Sequence, residues 1–161
     1  MTALLLLLAL TADLADDINA TREAHDVAPV ARSATLDAAA ELQVEWLAFA
    51  SKRRIDTGDH ECLTSWLLTA HPELLWERLF ATFPDGLPKW LVAHDLARLC
   101  GYEGVARDIG SYVGRKDSPI DGWLRNAHRT VLLDPDADEV GIAVASVGGG
   151  KFATWATFGW R

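Results

Sequence analysis

The spacing of apolar residues predicts a series of helices closed by strands. Leu7, Leu10, Leu14 and Ile18 recur at intervals of 3, 4 and 4, one stripe down the face of an amphipathic helix. Asp13, Asp16 and Asp17 fall largely to its polar side. The stretch Val27–Ala31, built around Pro29, breaks that helix and suits a short extended segment. Ser33 is placed to cap a second helix from Ala34 to about Ala50, with Leu36, Ala39, Ala40, Val44 and Leu47 as its buried stripe. Cys62–Ala70 and Pro72–Phe83 also read as helices, the latter with proline in its first turn. The turn Pro84-Asp85-Gly86-Leu87-Pro88 follows. A further helix from about Trp90 to Cys100 stops at Gly101, and another runs from Asp117 to about Ala127. After that the period changes. Val140, Ile142, Ala143, Val144 and Val147 predict a strand, Gly148-Gly149-Gly150 a turn, and Phe152, Trp155 and Phe158 a second strand. Helices followed by a closing hairpin indicate an α+β domain, most simply one sheet covered by helices.

Composition narrows the classes. The 161 residues include 15 Lys+Arg against 23 Asp+Glu, a formal net charge of −8. The length fits a single domain spanning 1–161. An acidic chain is a poor match for a general nucleic-acid binder, which needs a basic face. Lys52-Arg53-Arg54 is a basic cluster of loop size and reads as a solvated surface. The apolar run Ala3–Leu10 is far short of the roughly 20 residues that cross a bilayer. It also has no Lys or Arg before Arg22, where a signal peptide opens with positive charge, so an uncleaved first helix is the expectation. Cys62 and Cys100 allow one disulfide or two separate buried thiols. Seven tryptophans are many for this length.

Two stretches carry a more specific pattern. The first is Ile18-Asn19-Ala20-Thr21-Arg22, then Pro29, then Leu36-Asp37-Ala38-Ala39-Ala40. The second runs from Asp121-Gly122-Trp123-Leu124-Arg125-Asn126-Ala127-His128-Arg129 through Leu132-Leu133-Asp134-Pro135 and Asp138-Glu139-Val140-Gly141-Ile142 to Trp155–Gly159. Between them stands Arg98-Leu99-Cys100-Gly101-Tyr102. In order and spacing these resemble the CAP superfamily, also called SCP-like: cysteine-rich secretory proteins, antigen 5 and pathogenesis-related proteins, and within it the bacterial branch. The resemblance covers about residues 10–60 and 95–161.

That resemblance implies an α-β-α sandwich with a surface cleft lined by two histidines and acidic residues, which often binds a divalent metal. His128 matches the second family histidine, and Glu139 the acidic residue leading into the next strand. His60 falls in the region of the first histidine, making His60 and His128 the candidate ligands for zinc or calcium. The sequence departs from the family at its Gly-Glu-Asn-Ile segment, where Ala106-Arg107-Asp108-Ile109 stands. Arg107 then replaces the cleft glutamate, and a guanidinium repels a metal instead of binding one. Metal binding is doubtful on that reading; Asp108 is the remaining acid of the segment, but its side chain is expected to point elsewhere. The candidate cleft is therefore His60, Arg107, Asp108, His128 and Glu139.

The second departure is a helical, Trp-rich insertion at about 61–92. It carries Trp66, Trp76 and Trp90, whereas Trp46, Trp123, Trp155 and Trp160 fall in or near segments shared with the family and read as core. The insertion is either a lid or partner-binding appendage, or a satellite core of its own. Two function classes follow. One is a binding or structural module with a degenerate cleft, engaging another protein or a cell-surface component, extracellular or part of a virion or other large assembly; lipid or cell-wall ligands suit it too. The other is a hydrolase of peptide or cell-wall substrates using His128, Glu139 and His60.

Overall fold

A computed structural model describes residues 14–56, 60–72, 81–83, 93–114 and 118–161. Leu7, Leu10, Trp76, Trp90, the turn at 84–88 and most of the helix expected at 72–83 lie outside the described residues. Helix α1 covers 14–23. Strand β1 (Ala31–Arg32) leads into α2 (Ala34–Arg53), followed by α3 (His60–Ala70) and α4 (Ala93–Leu99). Strand β2 (Val105–Gly114), the short helices α5 (Ile120–Leu124) and α6 (Arg129–Leu132), and the hairpin β3 (Glu139–Gly148) and β4 (Lys151–Trp160) complete the order.

The sheet runs β1-β3-β4-β2. β1 lies parallel to β3, with Ala31 opposite Glu139, while β4 pairs antiparallel with both β3 and β2. Because side chains alternate along a strand, the hairpin buries two faces. Ala143, Ala145, Ala153 and Trp155 meet α2, α3 and α4 on one side. Val140, Ile142, Ala156 and Phe158 meet Leu14 and Ile18 of α1, Trp123 of α5 and Leu132 of α6 on the other. The result is an α-β-α sandwich.

Helix α2 forms where the stripe predicts and buries Leu36, Ala39, Ala40, Val44, Trp46, Leu47 and Ala50. Its alanines let it lie close to the sheet. The approach is tightest at Gly141, where a Cβ would stand 1.9 Å from the carbonyl carbon of Leu36. Ser33 occupies the N-cap position in extended conformation, but its side chain makes no capping bond. The helix runs three residues past the expected end, and Arg54 closes it in the left-handed region at φ 57.

Two readings need correction. Residues 105–114 carry no assigned element in the sequence pattern, yet they form a ten-residue strand paired with β4 from Val105 opposite Trp160 to Gly114 opposite Lys151. Arg107, Asp108, Gly110 and Ser111 blur the period-2 signal, and pairing with a strong aromatic strand overrides it. The helix expected over 117–127 is α5 and a separate α6. The Asn126 side chain accepts a hydrogen bond from the His128 N–H at 2.8 Å, holding the intervening residues in a turn. Gly101, in contrast, ends α4 as expected, at φ 92. Cys62 and Cys100 are half-buried thiols and not a disulfide.

Candidate functional site

The first shared motif fastens the fold. Arg22 is fully buried, and its guanidinium donates to the carbonyls of Ala28 (2.7 Å), Leu132 (2.8 Å), Asp134 (3.1 Å) and Ala137 (3.4 Å). Burial lowers its proton affinity and Asp134 offsets part of that. Asn19, one helical turn earlier, pairs with the backbone of Val30 as another strand would, donating to its carbonyl at 3.1 Å and accepting from its N–H at 2.9 Å. Asp37 accepts from the Ile142 N–H at 2.7 Å and the Arg32 guanidinium at 2.6 Å, joining α2 to the first two strands of the sheet.

The second region is built around Asp108, and His128 acts on it electrostatically. Asp108 stands on β2 on the sheet face that α2 covers, and its Oδ2 accepts a hydrogen bond from Trp155 Nε1 at 2.7 Å. Gly110 opposite Trp155 makes this contact feasible, because a Cβ there would lie 1.9 Å from the indole ring. Burial raises the Asp108 carboxyl above the usual carboxylate range. The Trp155 bond, the backbone and the electrostatic influence of His128 pull it partly back. His128 begins the short helix α6, half-buried, with Nδ1 shielded from solvent and without a hydrogen-bond partner. A buried carboxyl within the electrostatic field of an imidazole can grip a polar group.

Glu139 belongs to a different group. The register sets Glu139 opposite Gly159, so the chain leaving β4 carries Arg161 beside it. Asp138 Oδ2 accepts the Arg161 backbone N–H at 3.1 Å, and Arg161 Nε lies 2.9 Å from Glu139 Oε2. Tyr102, delivered by the turn at Gly101, sits over Gly159. Its phenol is pushed up by burial and then by the Glu139 charge. Thr35, Gly101, Tyr102, Gly104 and Arg161 border a cavity of about 400 Å³ there. By strand spacing, two strands across and two residues along, the Cα atoms of Glu139 and Asp108 are about 12 Å apart.

Arg107 follows the alternation to the opposite sheet face, where its guanidinium lies 5.5 Å from the centre of the Trp160 ring. His60 opens α3; its side chain lies outside the described residues. Among the described residues, no three His, Cys, Asp or Glu side chains converge as a ligand set for a metal ion.

The family model for the cysteine-rich secretory protein family, CAP, matches residues 15–159. The chain belongs to the CAP family. No curated protein matches it. Among solved structures it is similar to an outer surface protein from Borrelia burgdorferi, with a TM-score of 0.56 and 18% identity over 92% of this chain and 90% of that one. At that identity the likeness shows the fold.

Within this CAP domain, sequence reasoning passed over Trp155, Tyr102 and Arg161 as polar partners. Trp155 carried a signal, since an indole N–H needs an acceptor when buried and Asp108 is the acid on the neighbouring strand. That signal needs the register of β2, which the hydropathy pattern conceals. The insertion resolves in part: Leu63 and Leu67 of α3 are buried in the main core, and Trp66 packs between Trp46 (5.8 Å) and Phe49 (5.9 Å). α3 thus joins the main core through Leu63 and Leu67, while Glu61, Ser65, Thr69 and Ala70 are exposed.

Proposed function

We propose that this CAP domain is a binding module whose degenerate cleft, around Asp108, Trp155 and His128, engages another protein or a cell-surface component. The observation that supports the reading is the ion pair of Glu139 with Arg161 at 2.9 Å, which engages the acid the hydrolase reading would use. Asp108 and His128 offer a carboxyl and an imidazole suited to gripping a polar partner group. A setting outside the cell, or on a virion or other large assembly, accords with this role. No helix among the described residues is long and apolar enough to cross a membrane.

A hydrolase of peptide or cell-wall substrates is the second reading, favoured by the same Asp108–His128 pair acting as acid and base. One experiment separates the two. The purified chain and an Asp108→Asn/His128→Ala double variant are used to capture partners from the source culture, and both are assayed on casein and peptidoglycan. The binding reading expects a protein or envelope component retained by the parent chain and lost by the variant, with no turnover by either. Turnover by the parent that the variant abolishes would establish the hydrolase instead.

A further inference from the structure

The sheet order β1-β3-β4-β2 leaves β2 at an edge, with β4 as its one strand neighbour. An edge strand presents a row of backbone N–H and C=O groups to whatever lies beside it. All ten residues of β2 pair with β4 in unbroken register, about twice the usual strand length. The devices that blunt such an edge are missing: the strand has no proline, no lysine and no bulge. Among the described residues, its backbone has no hydrogen-bond partner outside β4. Its two faces are covered, Ala106 by the α2 layer and Ile109 by the α1 layer, so a further contact comes from the side. Val105 and Tyr112, the exposed large apolar side chains among the described residues, at 53% and 49%, both stand on this strand.

We propose that β2 pairs edge to edge with β2 of a second copy of this chain, antiparallel about a two-fold axis at Gly110, joining two four-stranded sheets into one. The argument for a second copy is that the strand complements itself. Pairing about Gly110 sets Asp108 of one copy opposite Tyr112 of the other, and Arg107 opposite Val113. An axis at Arg107 or Asp108 would instead set like charges against each other. About Gly110 each charge meets an uncharged residue, and the Tyr112 phenol gains a carboxyl acceptor. Gly110 has no side chain to hold the strands apart at the axis, where the Trp155 indole fills the place of its Cβ. The two indoles then lie side by side across the join. Two-fold pairing of this kind closes on itself and leaves no new edge at the contact. The inference rests on the docking reading of the face around Asp108 and names a second copy as the protein met there.

Sedimentation equilibrium of the full chain at about 100 μM tests it. The expected result is a dimer. Tyr112→Glu, on an exposed position, puts a second carboxylate opposite Asp108 and weakens the dimer about tenfold or more, with the circular dichroism spectrum and unfolding midpoint of the monomer unchanged. Tyr112→Arg puts a cation there and keeps the dimer. A monomeric parent chain overturns the proposal, as does a dimer that the two variants weaken equally or leave alike. The two readings fail separately. A monomer from which Asp108→Asn/His128→Ala removes a captured culture component sinks self-pairing alone, whereas a monomer that captures nothing sinks both.

Discussion

At the scale of single residues, polar groups decide more than their numbers suggest. Arg22 is fully buried and answers four backbone carbonyls that no other described side chain reaches. Replacing it with methionine preserves much of the volume and strands those acceptors. Arg22→Met is therefore expected to lose about 3 kcal/mol of stability in urea unfolding, the scale for buried charged hydrogen bonds left half-made; a loss under about 1 kcal/mol would show the carbonyls to be satisfied by water. Asp108 makes a prediction in pH. Its carboxyl binds a proton more tightly folded than unfolded, so the native state holds more protons from about pH 3.9 upward, and stability falls as pH rises through the raised folded value. Asp108→Asn keeps an acceptor for Trp155 and removes the titration. Unfolding measured at pH 4 and pH 7 should show a shallower decline for the variant; an identical slope would place the Asp108 carboxyl in a solvated environment.

Elements show where reading the sequence succeeds and where it stops. Helix α2 and the β3–β4 hairpin were legible because their periods are strong: Leu36 to Ala50 keeps one buried stripe, and Gly148-Gly149-Gly150 sits in the left-handed conformations a tight turn requires. Strand β2 was illegible because Arg107 and Asp108 face opposite sides of the sheet while the hydropathy record shows only two adjacent charges. The same blind spot governs the cleft. The family pattern put Arg107 in the cleft and turned Asp108 away from it, whereas the alternation of β2 sets Asp108 beside Trp155 and Arg107 on the other face, and it gave no sign that Glu139 would be answered by Arg161, since that depends on the β3–β4 register. Close packing of α2 adds a test of the layer geometry. Gly141→Ala sets a methyl group against the Leu36 backbone, which has no rotamer by which to yield. It should cost about 2 kcal/mol or more in thermal or urea unfolding; a neutral result would mean that α2 stands farther from the sheet.

For the whole molecule, the sandwich divides labour between its two faces. Arg22, Asn19 and Asp37 bind α1, the first loop and α2 to the sheet, so much of the CAP pattern in this sequence is spent on holding the layers together. The tryptophan surplus belongs to the same task where it is described: Trp46 and Trp123 are fully buried, and Trp66 extends the aromatic core onto α3. For interaction we propose the edge around Asp108 and His128. We propose that the face around Asp108 and His128 docks a partner, with Glu139 held apart from it by Arg161. The most direct measurement is a crystal structure of the full chain grown in millimolar zinc. The account predicts Glu139 still within ion-pairing distance of Arg161 and no zinc on His128. A zinc ion bound by His128, with Glu139 or His60 turned in to complete its ligands, would contradict it.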